Sequence, residues 1–172
     1  MLLQRRNTAY SLLSRTYTIK NRKNLNENYL DLNSYNIEHL TALVRAAEAK
    51  RSPLMLLLFP STLKQLPSLA WAASAAIASA SVPISLHLGH AQDEAQIREV
   101  VRTLPSDSIM VDMSHYEHTE NLAKTKVLVK LCHEKGIAVE AESGRISGGE
   151  DGIADTGDLE GRSHVSSCRE RG

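Results

Sequence analysis

The chain has 172 residues, 42% of them hydrophobic, with 20 basic and 20 acidic side chains and a formal net charge of zero. That is the size and apolar content of one domain or part of a larger one, and the charge balance gives no electrostatic case for a nucleic-acid or acidic-membrane partner. Cys132 and Cys168 stand far apart with no metal-ligand spacing, which argues for a reducing compartment, the cytoplasm, and against a disulfide framework; no apolar run approaches the roughly 20 residues of a membrane span.

Met1 to Lys23 carries several Arg and Lys and no acid. It reads either as a mitochondrial transit peptide, the alternative localisation, or as a first helix covering the bottom of the domain with Tyr10, Leu12, Leu13 and Tyr17. The helix is the preferred reading. Tyr29 to Asn33 is a short first strand. Asn36 to Lys50 is helical, with Ile37, Leu40, Val44 and Ala47 at spacings of three and four and Asn36 as N-cap. Pro53 to Phe59 is a continuous apolar run, the mark of a strand covered on both faces, and Pro60 stops it. Leu63 to Ala80 is one alanine-rich helix. Pro83 to His87 is a strand, Asp93 to Leu104 a helix, and Ser108 to Asp112 a strand. Glu117 to Lys135 is a helix with Leu122, Val127, Val129 and Leu131 toward its buried side and Cys132 as a core residue. Gly136 ends it as a C′ glycine, and Ile137 to Glu142 is a fifth strand.

Strand–helix alternation with covered strands implies a parallel sheet with right-handed crossovers. Each of the last three strands ends in residues able to bind a metal. Ile84-Ser85-Leu86-His87-Leu88-Gly89-His90, Ser108 to Asp112 and Ile137 to Glu142 would deliver His90, Asp112 and Glu142 to one rim, as an α/β barrel presents its chemistry. Bland readings stand beside each residue. Asp112 serves equally as an Asx turn or cap, His90 as a loop histidine, and Glu140 and Glu142, two apart on one strand face, as solvated carboxylates at a fraying end. His87 reads as a core histidine or a support for the site, and His115, His118 and His133 as surface residues. After Glu142, Arg145 and the glycines from Gly144 to Gly152 form a loop able to cradle an anion with backbone N–H groups. The stretch from Arg162 to Gly172 has no periodicity and is expected to be disordered.

Taken in order, these blocks resemble the class II fructose-bisphosphate aldolases. The resemblance rests on Asn33-Ser34-Tyr35-Asn36, on His87-Leu88-Gly89-His90 against His-x-Asp-His, and on Ser108 to His115. Its most specific block is Val139-Glu140-Ala141-Glu142-Ser143-Gly144-Arg145-Ile146-Ser147-Gly148-Gly149-Glu150-Asp151. It covers roughly residues 8 to 161 and implies a TIM (β/α)8-barrel of which about the first five β/α units are present. The organisation is therefore a partial barrel domain over 1–161 and an unrelated tail over 162–172, with the family frame lost near Gly161. The resemblance implies zinc held by His90, with Asp112 and Glu142 serving a nearby metal position. It implies Glu150 in proton exchange, and Asn33, Ser61 and Gly144 on the substrate, a ketose bisphosphate or dihydroxyacetone phosphate.

The family reaction is reversible aldol cleavage of fructose 1,6-bisphosphate to dihydroxyacetone phosphate and glyceraldehyde 3-phosphate. Its base is the Asp of His-x-Asp-His, here Gly89, so impaired turnover is expected. The family's phosphate-loop serine falls near Phe59, with Ser61 displaced from it. Five strands of eight cannot close, and exposed edges favour a homo-oligomer. The alternatives are a non-catalytic metal- or phosphate-binding relative, a subunit-interaction protein, and a fragment without function.

Overall fold

The computed structural model describes residues 30–142. The N-terminal basic segment, the glycine-rich loop with Gly144 and Glu150, the boundary at 161 and the tail all lie outside the described residues. Five strands, β1 (Leu30–Asn33), β2 (Leu54–Leu58), β3 (Ile84–Ala91), β4 (Ser108–Val111) and β5 (Ala138–Ala141), alternate with helices α1 (Ile37–Lys50), α2 (Pro60–Gln65), α3 (Ser68–Ser79), α4 (Glu94–Thr103) and α5 (His118–Glu134). All strand pairs are parallel and the sheet order is the chain order, β1-β2-β3-β4-β5. A sheet wound in one direction with no reversal of order matches five consecutive strands of a (β/α)8 barrel, not a doubly wound sheet.

Register decides what each face carries. Leu54, Leu56 and Leu58 lie beside Ile84, Leu86 and Leu88, and Leu88 beside Ile109. These residues are buried and join one core with Leu69, Ala70, Ala73 and Ile77 of α3, Ile97 and Val100 of α4, and Leu128 and Cys132 of α5. This is the helix-covered face. Burial in that core pushes the Cys132 thiol up to about 11, so it is a small apolar filler and not a nucleophile. The alternate residues, Met55, Leu57, Ser85, His87, Ser108, Met110 and Glu140, share the opposite, lumen-side face.

Local signals explain the element ends. Asn36 Oδ1 accepts from His39 N at 2.8 Å and Asp93 Oδ1 from Ala95 N at 2.8 Å, each capping a helix start. Gly136 takes φ +73°, the left-handed turn that closes α5. Asp107 stitches the lower ends of three strands. Its Oδ2 accepts from Leu86 N at 2.8 Å, its own N–H donates to Leu86 O at 2.9 Å, and its carbonyl accepts from Ala138 N at 3.0 Å.

Two expectations change. The single helix from Leu63 to Ala80 is two helices, because Pro67 has no N–H to donate to the preceding turn; Pro60 opens the first of them at a position where a missing N–H costs nothing. On α5 the buried side chains are Asn121, Leu128 and Cys132, whereas Leu122 and Val127 are 57% and 54% exposed. Trp71, on α3, is also 57% exposed. Among the described residues no helix is long and apolar enough to cross a membrane.

Leu56 is fully buried between the sheet and the helices. Leu56→Ala is expected to lower unfolding free energy by about 2–5 kcal/mol, and Leu122→Ala by less than about 0.5 kcal/mol, in urea melts followed by far-ultraviolet circular dichroism. Equal losses would contradict the assigned faces.

Candidate active site in the lumen

The lumen face holds a cavity of about 220 Å³ lined by Asp31, Asn33, Met55, Leu57, Phe59, His87, Gly89, His90, Met110 and Glu140. These residues come from all five strands and their C-terminal ends. Gly89 and His90 are consecutive, so plain alternation would send them to opposite faces. Both line the cavity because β3 is irregular there: Leu88 pairs with Ile109 and Ala91 with Val111, leaving Gly89 and His90 opposite the single residue Met110. This bulge re-aims a side chain at the rim, a common device beside active sites. His90 takes φ +40°, a left-handed conformation that is strained for a residue with a Cβ, and such strain persists only when surrounding contacts hold it.

The holding contact comes from Asp112. His90 Nδ1 lies 3.1 Å from Asp112 Oδ2, which also accepts from Gln92 Nε2 at 3.2 Å. Asp112 Oδ1 accepts from Ser114 N at 3.0 Å and Ser114 Oγ at 2.5 Å. Burial pushes the Asp112 carboxyl up, but the Ser114 hydroxyl and N–H, then His90 and Gln92, outweigh it and hold the group below its usual range. An ionised carboxylate can only accept, so Nδ1 of His90 is the nitrogen that donates to Asp112.

The other expected site residues separate. Asn33 lines the cavity at the end of β1. Ser61 lies on α2, half-buried, and is not among the lining residues. Glu142 follows the last residue of β5: its N–H donates to Val111 O at 3.2 Å and its carbonyl accepts from Asn121 Nδ2 at 3.2 Å. Glu140, not Glu142, lines the cavity. His87 is 4% exposed, with Nδ1 2.7 Å from Ser108 Oγ and Nε2 3.8 Å from Glu140 Oε2. The sequence alone does not place Asp31 or Asn121 at the site, and it marks Phe59 only as the position near which the family's phosphate-loop serine falls. Asp31 and Phe59 share the period-2 face of their strands with known lining residues, which was a usable signal; Asn121 hid as a polar residue in a helix of mixed pattern.

Comparison with known proteins decides the family. The sequence profile described as "Fructose-bisphosphate aldolase class-II" matches residues 18–168. The chain belongs to the class-II fructose-bisphosphate aldolase family. It is 40% identical over 134 residues to the fructose-bisphosphate aldolase of Streptococcus pyogenes serotype M1, covering 74% of this chain and 44% of that one. Identity is 53% over 135 residues to a protein of Coccidioides immitis (strain RS) provisionally named a fructose-bisphosphate aldolase, with 74% and 45% covered. The crystal structure of the provisionally named aldolase from Coccidioides immitis superposes with TM-score 0.74 at 46% identity, over 93% of this chain and 54% of that one. The YdjI aldolase from Escherichia coli K12 superposes with TM-score 0.66 at 26% identity, over 76% and 51%. The chain spans a little under half the length of these curated relatives.

Membership in this aldolase family generally implies zinc. A catalytic zinc takes three protein ligands. Among the described residues no group of three His, Cys, Asp or Glu side chains is placed to hold a metal ion. His90 has the backing typical of a metal-binding histidine, a carboxylate on its other nitrogen, but both oxygens of that carboxylate already accept hydrogen bonds. The described residues do not by themselves fit the ion.

Asp112 makes acid stability predictable in sign. Its carboxyl is depressed in the folded chain, so its contribution is full above the ordinary Asp value and is lost as pH falls through the depressed one. Urea midpoints of the wild type are expected to fall across that acid window more steeply than those of Asp112→Asn. Parallel profiles would show that the carboxylate is not the clamp.

Proposed function

We propose that this chain binds the substrate class of its family, a phosphorylated ketose such as a ketose bisphosphate or its dihydroxyacetone phosphate half, in the lumen cavity, and that its described residues do not carry out the cleavage. The single observation behind this reading is Gly89. Aldol cleavage removes the proton of the C4 hydroxyl, breaks the C3–C4 bond and leaves the electron pair on the enediolate of the ketone half. The step needs a proton acceptor in hydrogen-bond reach of that hydroxyl. In the family pattern that acceptor is an Asp at the position of Gly89. A Cβ added at Gly89 would face Leu57 Cδ2 at 3.3 Å and Phe59 Cε1 at 3.6 Å, so the position points into the cavity and offers no atom that takes a proton. General acid–base catalysis is worth typically about 10²–10⁴-fold, and a glycine at this point supplies none of it.

The test pairs a binding readout with a turnover readout on the full chain. Dihydroxyacetone phosphate at 100 times its Kd is expected to stabilise the fold by about 2.7 kcal/mol, seen as a raised melting temperature. A coupled assay with fructose 1,6-bisphosphate and added zinc is expected to show no cleavage. Turnover by the wild type that a chelator abolishes would overturn the reading, as would the absence of any ligand-induced shift.

A further inference from the structure

Two polar side chains approach each other across the lumen without touching. His87 is on β3 and Glu140 on β5; β4 lies between them, with Ser108 beside His87 and Met110 beside Glu140. Both side chains line the cavity. His87 Nε2 stands 3.8 Å from Glu140 Oε2, too far for a direct hydrogen bond. The imidazole is held from behind, with Nδ1 2.7 Å from Ser108 Oγ and the residue 4% exposed. The carboxylate is on the open side, its side chain 50% exposed. One partner is fixed and the other can adjust to what lies between them.

We propose that His87 and Glu140 read a free hydroxyl of the ligand, so that the lumen discriminates a hydroxylated ketose phosphate from its deoxy analogue. The proposal rests on the reading that the lumen takes a phosphorylated ketose, and adds to it the residues that decide which one. A ring nitrogen facing a carboxylate carries its hydrogen whether the imidazole is neutral or charged, because a lone pair there would point at a negative oxygen. Nε2 is thus a donor, and the carboxylate is an acceptor. One oxygen about 2.8 Å from each atom spans the gap between them. Among the oxygens of a phosphorylated ketose, a hydroxyl accepts from Nε2 and donates to Oε2 at once. A carbonyl or an ionised phosphate oxygen only accepts, and would set lone pairs against Glu140. Asn33 and His90 line the same cavity, but His90 turns Nδ1 to Asp112 and Asn33 stands on β1, at the other end of the strand order. Both are left to other atoms of the ligand.

Calorimetric titration of the full chain with two probes tests this: dihydroxyacetone phosphate, and hydroxyacetone phosphate, which has hydrogen in place of the free hydroxyl. The probes share one phosphate and one carbonyl. A hydrogen bond to a charged group is worth roughly 10–100-fold in affinity, so the wild type is expected to bind dihydroxyacetone phosphate tighter by that factor. Glu140→Ala is expected to bring the ratio close to one. The ratio is the readout because removing a carboxylate shifts the binding of both anionic probes alike. Glu140 is half-exposed near the end of β5, so its truncation leaves the core intact. Glu140→Gln restores an acceptor without the charge and is expected to give a ratio between those of the wild type and Glu140→Ala. Equal binding of the two probes by the wild type would overturn the proposal while leaving the ketose-phosphate reading standing, as would an unchanged ratio in Glu140→Ala. No binding of either probe would sink both.

Discussion

Everything in this structure depends on strands paired in parallel and in register. Once Leu56 sits beside Leu86 and Leu57 beside His87, strict alternation sends one set of side chains to the helices and the other to the lumen. The first set is almost wholly aliphatic and forms the core. The second includes Ser85, His87 and Ser108, all buried, a composition no hydrophobic core would choose. Part of that polarity is answered locally, by the bond between His87 and Ser108. The separation of stability from chemistry is thus geometric: neighbours along one strand serve different tasks because they point in opposite directions.

The register shift in β3, a departure from that alternation, is where the site is made. The irregular step in β3 places Gly89 and His90 on the same cavity, and the left-handed backbone of His90 is held by a carboxylate whose four hydrogen bonds come from Ser114, His90 and Gln92. Asp112 is therefore best understood through the ring it orients. The same step leaves Gly89 against Leu57 and Phe59, so one backbone feature both aims the imidazole and exposes the position whose side chain is missing.

Much of this was legible in the sequence, for physical reasons. Continuous aliphatic runs mark strands covered on both faces, and they located β2, β3 and β4 to within a few residues. Caps at Asn36 and Asp93 and the glycine at 136 marked helix ends because each satisfies a specific orphaned backbone group. The ordered motifs gave the family. What failed has equally definite causes. The high helix propensity of the alanine-rich run hides Pro67, although a missing donor breaks a helix whatever its neighbours favour. Hydrophobicity alone sends Leu122 and Val127 to the core, yet the helix turns Asn121 inward, where its Nδ2 donates to the Glu142 carbonyl. Glu140 lines the cavity whereas Glu142 lies just past the end of β5, and residue type does not encode where a strand stops. The bulge has no sequence signature beyond a glycine, so the shared orientation of Gly89 and His90 required coordinates.

The outward position of Trp71 has a practical consequence for anyone studying this molecule. It is the chain's single tryptophan, it lies on the water side of α3, and it is more than half exposed before any unfolding occurs. Its indole already emits from a wet environment in the native state, so loss of the core changes its spectrum little. Intrinsic fluorescence is consequently a poor reporter of folding here and a sensitive one for anything that settles on the outer surface of that helix.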